Sequence, residues 1–239
     1  MSFKEQFVLN FVTDNRWNNI TTGLMHTIII TVCAALIGVV LGMIVAAVRT
    51  TYDKNQESLK RQGGIGYVLM TFFNGVCKLY LTIFRGTPVV VQLMIMYYIV
   101  FASAKNGLGV AIIAFGINSA AYVAEIFRGG IMSIDNGQFE AGRSLGFNYI
   151  QTMIYIVIPQ VMKAILPALL NEFIALLKET SVAGYVGITD LTRGGNIIRG
   201  VTFSAFMPLI AVALIYLVMV VCLTKIVGVI ERRLRKSER

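Results

Sequence analysis

Positions 21–48 read TTGLMHTIIITVCAALIGVVLGMIVAAV, an apolar run without a single Asp, Glu, Lys or Arg. A helix that crosses a bilayer needs roughly 20 mostly apolar residues, so this run can span and leave residues over. Four more apolar stretches follow, at about 67–101, 108–128, 155–177 and 203–230. Of the 239 residues 56% are hydrophobic and only 14% are charged, far more apolar surface than one soluble core of this length needs. The expected fold is all-α: one polytopic membrane domain over residues 1–239 with five transmembrane helices. The first 20 residues are polar and carry no cleavable apolar core, which leaves the first span as the insertion signal.

Two stretches need more than a length count. Gly38 and Gly42 in the first run make a small-xxx-small pair, but glycines at this spacing also recur by chance, and the pair carries no weight here. After it, residues 49–64 (RTTYDKNQESLKRQGG) read as a polar connector, a cytoplasmic loop. The second stretch is too long for one span, since about 36 residues reach about 54 Å at 1.5 Å each against a core of roughly 30 Å. Split into two spans it leaves no room for a turn. One span plus an interfacial or cytosol-projecting helical part, bent near Gly86–Pro88, is the expected solution.

The chain has 21 Lys and Arg against 12 Asp and Glu, but the cations are scattered or gathered at the C-terminus, with no basic stripe interleaved with aromatics. That distribution points to a membrane surface and away from nucleic acid. With the C-terminus inside, thirteen cations flank the inner ends of the spans and six the outer ends. The inner set includes Arg235, Lys236 and Arg239. Five spans then place the N-terminus outside and residues 133–155 in the cytoplasm. Cys33, Cys77 and Cys222 sit singly in apolar runs and His26 is the lone histidine, which excludes a credible zinc site, a haem-attachment motif and a disulfide framework. The same scarcity argues against a membrane-embedded hydrolase.

Polar side chains inside spans are functional candidates by default. Asn118, Ser119 and Glu125 in the third span and Asn171 and Glu172 in the fourth are placed to line a translocation path, with Gln92, one turn past Pro88, as a weaker member. Glu125 also stands three residues before Arg128, a spacing that suits an ion pair within one helix. Glu172 is either substrate-facing or hydrogen-bonded to a neighbouring span or to Arg85.

Residues 133–155 are organised differently. Asp135 or Asn136 gives a helix-start signal, Gly146 ends a helix or turns the chain, and a second helical pattern resumes at about Asn148. Arg143 and Glu140 stand among the small residues Ala141, Gly142, Ser144 and Gly146, unlike the Lys- and Arg-rich face of a helix that lies on headgroups. Small residues suit close docking with another protein. The pattern E-A-G-x3-G-x9-I-x-I-P, formed by Glu140, Ala141, Gly142, Gly146, Ile156, Ile158 and Pro159, resembles the EAA loop of permease subunits of binding-protein-dependent ABC importers, E-A-A-x3-G-x9-I-x-L-P. Gly142 stands for the second Ala and Ile158 for Leu. GLMHT at 23–27, FRGTPVVVQL at 84–93, AAYVAEIFRGGI at 120–131 and LPALLNEFIALLKETS at 166–181 extend the resemblance, to the polar-amino-acid permeases, over nearly the whole chain.

The resemblance implies a type I importer permease fold in the bacterial cytoplasmic membrane, with the loop as a coupling helix that sits in a cleft on an ATPase. Glu140, Ala141, Gly142, Arg143 and Gly146 would carry that coupling. It implies two ATPase subunits, a second permease subunit that is identical or closely related, and an extracytoplasmic binding protein. The chain has no Gly-x-x-x-x-Gly-Lys-Ser/Thr phosphate loop, so ATP and its Mg are expected on the partner, with no cofactor in this chain. Residues 178–200, with five glycines, resemble an extracytoplasmic gate and docking surface for the binding protein. A secondary transporter or channel is the alternative; the organised cytoplasmic segment and the lack of a repeated half argue against it. Arginine, lysine, histidine, glutamine, glutamate and cystine all remain open as substrates, with Glu125 and Glu172 favouring a cationic one.

Overall fold

The computed structural model describes residues 2–236, leaving aside the side chains at 58, 59, 62, 235 and 236. Of the cations counted for orientation, Arg239 and the side chains of Arg235 and Lys236 therefore lie outside the described residues. A short helix α1 (Phe3–Phe7), held by a Ser2–Glu5 capping box, leads through a π turn and a 3-10 turn to α2 (Trp17–Gln62).

The connector expected at 49–64 is not a loop, because α2 runs straight through it for 46 residues. Between Arg49 and Gln62 no glycine or proline interrupts the helix, and Arg49 reaches Asp53 one turn on at 3.6 Å. The stop comes at Gly63 and Gly64, whose φ angles of 61° and 74° only glycine adopts freely. At 1.5 Å per residue α2 is about 69 Å long, more than twice the hydrocarbon core. Its last turns project beyond the bundle.

The second stretch divides as expected into one helix long and apolar enough to cross a membrane, α3 (Gly64–Gly86), and a shorter apolar helical part, α4 (Val89–Ile95) with a π turn to Val100. The break falls at Thr87–Pro88, within the expected bend. Pro88 supplies no amide and forces Thr87 into an extended conformation (φ −124°, ψ 149°).

The centre of the bundle is α5 (Gly107–Met132), started by the Asn106 side chain accepting from the Gly109 amide at 3.1 Å. It packs against α2, α3 and α8 (Ile158–Glu179). The glycine pair of the first span has its use here. A Cβ on Gly38 would stand 3.0 Å from Ser119 Oγ, and one on Gly42 would stand 2.7 Å from a Val123 methyl, so both glycines form the close α2–α5 crossing.

Between α5 and α8 lie two short helices, α6 (Asn136–Ser144) and α7 (Tyr149–Thr152). After α8 the chain turns through a 3-10 segment (Thr180–Val186) into α9 (Leu191–Thr202) and ends in α10 (Phe206–Lys236). Residues 178–200 are thus mostly helical. Asp190 caps α9, accepting from the Thr192 and Arg193 amides at 3.0 and 3.2 Å. Burial pushes its carboxyl above the usual range, and those amides offset the rise only in part.

The start of α2 grips this turn. His26 Nδ1 lies 2.8 Å from the Thr189 carbonyl, and Thr27 Oγ1 accepts from the Leu191 amide at 3.1 Å. A Cβ on Gly194 would collide with the Asn19 carbonyl, a backbone atom that cannot rotate away, whereas Gly200 of the same helix faces open space. The two positions are expected to respond oppositely. Gly200→Ala gains helix propensity, about 1 kcal/mol at most, and raises Tm slightly; Gly194→Ala lowers it, as a thermal melt of the solubilised protein would read.

Candidate functional site

The most organised polar surface is the elbow formed by α6 and α7. Asp135 opens α6 by accepting from the Gly137 amide at 2.6 Å. At its other end the Gly146 amide donates to the Arg143 carbonyl (2.9 Å) and the Phe147 amide to the Gly142 carbonyl (3.0 Å). This is a Schellman closure, and it requires the left-handed φ of 81° at Gly146. Two residues on, Asn148 and Gln151 cap α7 reciprocally, each amide bonded to the other's side chain at 2.9 Å.

The elbow turns Glu140, Ala141, Arg143 and Gly146 outward and buries Gly142 against Thr152. Leu145, at the tip, is 70% exposed, a large apolar side chain without cover. The projecting end of α2 supports the elbow. Lys54 Nζ lies 3.9 Å over the Phe139 ring and donates to Asn136 Oδ1 at 3.3 Å, and Asn55 and Tyr149 stand beside them. Together these residues frame a polar hollow of about 400 Å³, lined also by Glu140, Arg143 and Thr152.

The second cluster lies within the spans. Gln92 and Asn118 are buried and face each other, Asn118 Nδ2 donating to Gln92 Oε1 at 2.8 Å. Their remaining amide hydrogens cover carbonyls freed by the break at Pro88. Gln92 Nε2 donates to the Phe84 and Thr87 carbonyls at 3.0 and 3.1 Å, and Asn118 Nδ2 reaches Phe84 O at 3.2 Å. Glu125 is engaged by Arg128 at 3.0 Å and, more loosely, by Arg85 at 3.8 Å. Arg128 in turn reaches Asp53 of α2 at 3.6 Å. Ser119 donates to Glu172 at 3.0 Å, which joins α5 to α8, while Asn171 is exposed on α8.

Sequence reasoning passed over Asp53, Lys54, Leu145 and Arg85 as site members. The i,i+4 pair Arg49–Asp53 and the lack of a helix breaker before Gly63 were the available signals for the first two.

A helical bundle that keeps charges inside its spans and presents a doubly capped elbow at one end has the parts of a membrane transport subunit driven from outside itself. The family of binding-protein-dependent transport system inner membrane components matches residues 63–236, and the chain belongs to it. The arginine transport system permease protein ArtQ of Bacillus subtilis (strain 168) is 35% identical over 224 residues, 92% of this chain and 94% of that one. The glutamine transport system permease protein GlnP of Escherichia coli (strain K12) is 37% identical over 167 residues, 68% of this chain and 76% of that one. The crystal structure of an amino acid ABC transporter with histidines superposes with a TM-score of 0.78 at 37% identity, over 93% of this chain and 98% of its own. Inward-facing MetNI methionine ABC transporter shares the fold, with a TM-score of 0.73 at 20% identity, covering 98% of this chain and 99% of that one.

Proposed function

We propose that this chain is the membrane permease of an ATP-driven importer that moves a polar amino acid into a bacterial cell, and that its α6–α7 elbow is the coupling helix for a separate ATPase. The observation that carries this reading is the elbow itself. Glu140, Ala141, Arg143 and Leu145 are presented on a turn closed at both ends, where a partner meets a preformed surface at little ordering cost.

In this reading the elbow and the C-terminus face the cytoplasm, and the N-terminus and α9 face outside, where a binding protein delivers substrate. Two ATPase subunits bind a pair of permeases, the same chain twice or a close relative, and the ATPase holds ATP and Mg. Closure of the ATPases draws the two elbows together and biases the spans toward the outward-facing state. Ser119, Glu125, Asn171 and Glu172 line the path, with Gln92 and Asn118 behind them. Relatives named for arginine and for glutamine support a polar amino acid.

The test is recovery of an ATPase subunit encoded beside this chain when the two are co-expressed and the permease is purified. Gly146→Asp puts a charge on the elbow at a backbone cost of about 1 kcal/mol, since Asp visits the left-handed region more readily than most residues. At least a tenfold loss of bound ATPase is expected, with the permease still monodisperse. Gly146→Asn, which tolerates the same φ without the charge, should lose much less. Equal recovery with all three proteins, or none with any, would sink the coupling assignment.

A further inference from the structure

We infer that a groove between α2 and α8 holds an anionic phospholipid from the leaflet on the elbow's side, with one acyl chain in the groove and the phosphate in the hollow at Lys54. The inference needs only the membrane fold, and it stands whether or not the elbow couples to an ATPase. The groove is apolar and encloses about 360 Å³. Phe127 and Ile131 of α5, each 7% exposed, lie at its bottom, while Met43 and Ala47 of α2 and Ile158 and Met162 of α8 form exposed walls. Along α2 it runs from Met43 to Thr51, about 12 Å at 1.5 Å per residue, close to the roughly 15 Å of hydrocarbon in one leaflet.

The shape suits a chain and not a helix. A volume of about 360 Å³ over that length leaves a channel about 6 Å wide, too narrow for a helix of about 10–12 Å but wide enough for one hydrocarbon chain. At its upper end the groove meets the polar hollow, since Tyr149 lines both. Lys54 of the hollow is three residues past Thr51, on the same face of α2 and about 4.5 Å further along its axis. The headgroup layer on each side of the hydrocarbon is about 5–7 Å thick, which puts Lys54 at the depth of a lipid phosphate.

The charges agree. Lys54 and Arg143 both line the hollow, and among the described residues no carboxylate lies within ion-pair distance of either. Lys54 Nζ spends one hydrogen on Asn136 Oδ1 and keeps the others for a ligand. Thr152, which lines the same hollow and is 2% exposed, has a hydroxyl with no hydrogen-bond partner among the described residues. Glu140 lines it too, so two cations and one carboxylate leave a single positive charge. A phosphodiester with an uncharged glycerol headgroup balances that charge, whereas a zwitterionic choline headgroup brings none. Basic pockets between spans at headgroup level bind anionic lipids on these terms.

The full-length permease, purified in mild detergent and stripped of lipid, is mixed with equal amounts of dioleoylphosphatidylglycerol and dioleoylphosphatidylcholine, and bound lipid is counted by native mass spectrometry. Phosphatidylglycerol should be retained at least about fivefold over phosphatidylcholine, which corresponds to about 1 kcal/mol for one cation at the headgroups. Lys54→Gln should abolish that preference, and Lys54→Arg should keep it. Ala47→Phe, which fills the channel away from the charges, should lower retention of both lipids, and Leu36→Phe, an exposed position outside the groove, should not. Phosphatidylglycerol with a diazirine on its acyl chain should label residues 153–162. Equal retention of the two lipids, an unchanged preference in Lys54→Gln, or label confined to other parts of the chain overturns the proposal. So does unchanged retention in Ala47→Phe, and a benzophenone at position 47 that then crosslinks to a second copy of the chain would assign the groove to a protein interface instead.

Discussion

Replacing Gln92 with leucine is expected to unseat the second span, lowering Tm of the solubilised permease by about 6–12 °C for a loss of about 3 kcal/mol. Helix α3 ends at Gly86 because of Pro88, and carbonyls freed inside a membrane must find donors within the protein. Gln92 Nε2 supplies them to Phe84 O, Thr87 O and, at 2.7 Å, Thr87 Oγ1, while its Oε1 takes the Asn118 amide. Leucine removes every one of these bonds and leaves Asn118 with Phe84 O alone. Asn118→Leu should cost less, because Gln92 still covers Phe84 O and only Gln92 Oε1 is stranded. If Gln92→Leu instead kept its Tm and changed which amino acid is moved, the residue would belong to the path and not to the seal.

Gly142→Ala, a substitution that restores the residue at this place in the EAA pattern, should weaken the elbow by about 1–3 kcal/mol. The added methyl would lie 2.5 Å from Thr152 Oγ1 and 2.6 Å from its Cγ2. Thr152 is buried under α6 and, being β-branched, has few rotamers into which to retreat. Among the described residues its hydroxyl has no hydrogen-bond partner, so Thr152→Ala gives up little by itself. Adding Thr152→Ala to Gly142→Ala removes both clashing atoms and leaves Cβ to Cβ at 3.1 Å, and the double variant should recover most of the loss. Limited proteolysis at the elbow and the amount of ATPase co-purified would both report it; a double variant as weak as the single one would show that the two side chains do not share one space.

Local rules made much of this legible. Length and hydropathy are local, so five spans could be counted. Pro88 marks its own break, and Gly146 its own elbow, because each acts on its own backbone. The straight run of α2 past Arg49 was misread because polar residues were taken to end a helix; they end its burial, while its backbone stops only at Gly63. The helix at Leu191–Thr202, capped by Asp190, is hard to read locally because it carries two adjacent glycines, Gly194 and Gly195, of low helix propensity. Those glycines are fixed by close approach, Gly194 to Asn19 and Gly195 to Val212. Contacts of that kind, like Gln92 to Asn118 or Arg85 to Glu125, join residues far apart in sequence and leave no period to read. Candidate path residues could therefore be chosen by polarity, but not sorted into those that close the backbone and those left facing open space.

The unbroken α2 and the broken α3–α4 stand side by side, and they differ as a bar differs from a jointed arm. The bar is pinned near one end at Thr27 to the turn before α9 and near the other at Lys54 to the elbow. Those pins are about 40 Å apart along the helix, so a tilt of about 5° with one held swings the other by about 3.5 Å. The arm has a joint at Pro88 that can absorb such a swing. A push on the elbow therefore has a stiff lever to the opposite face of the bundle, running alongside a segment able to yield.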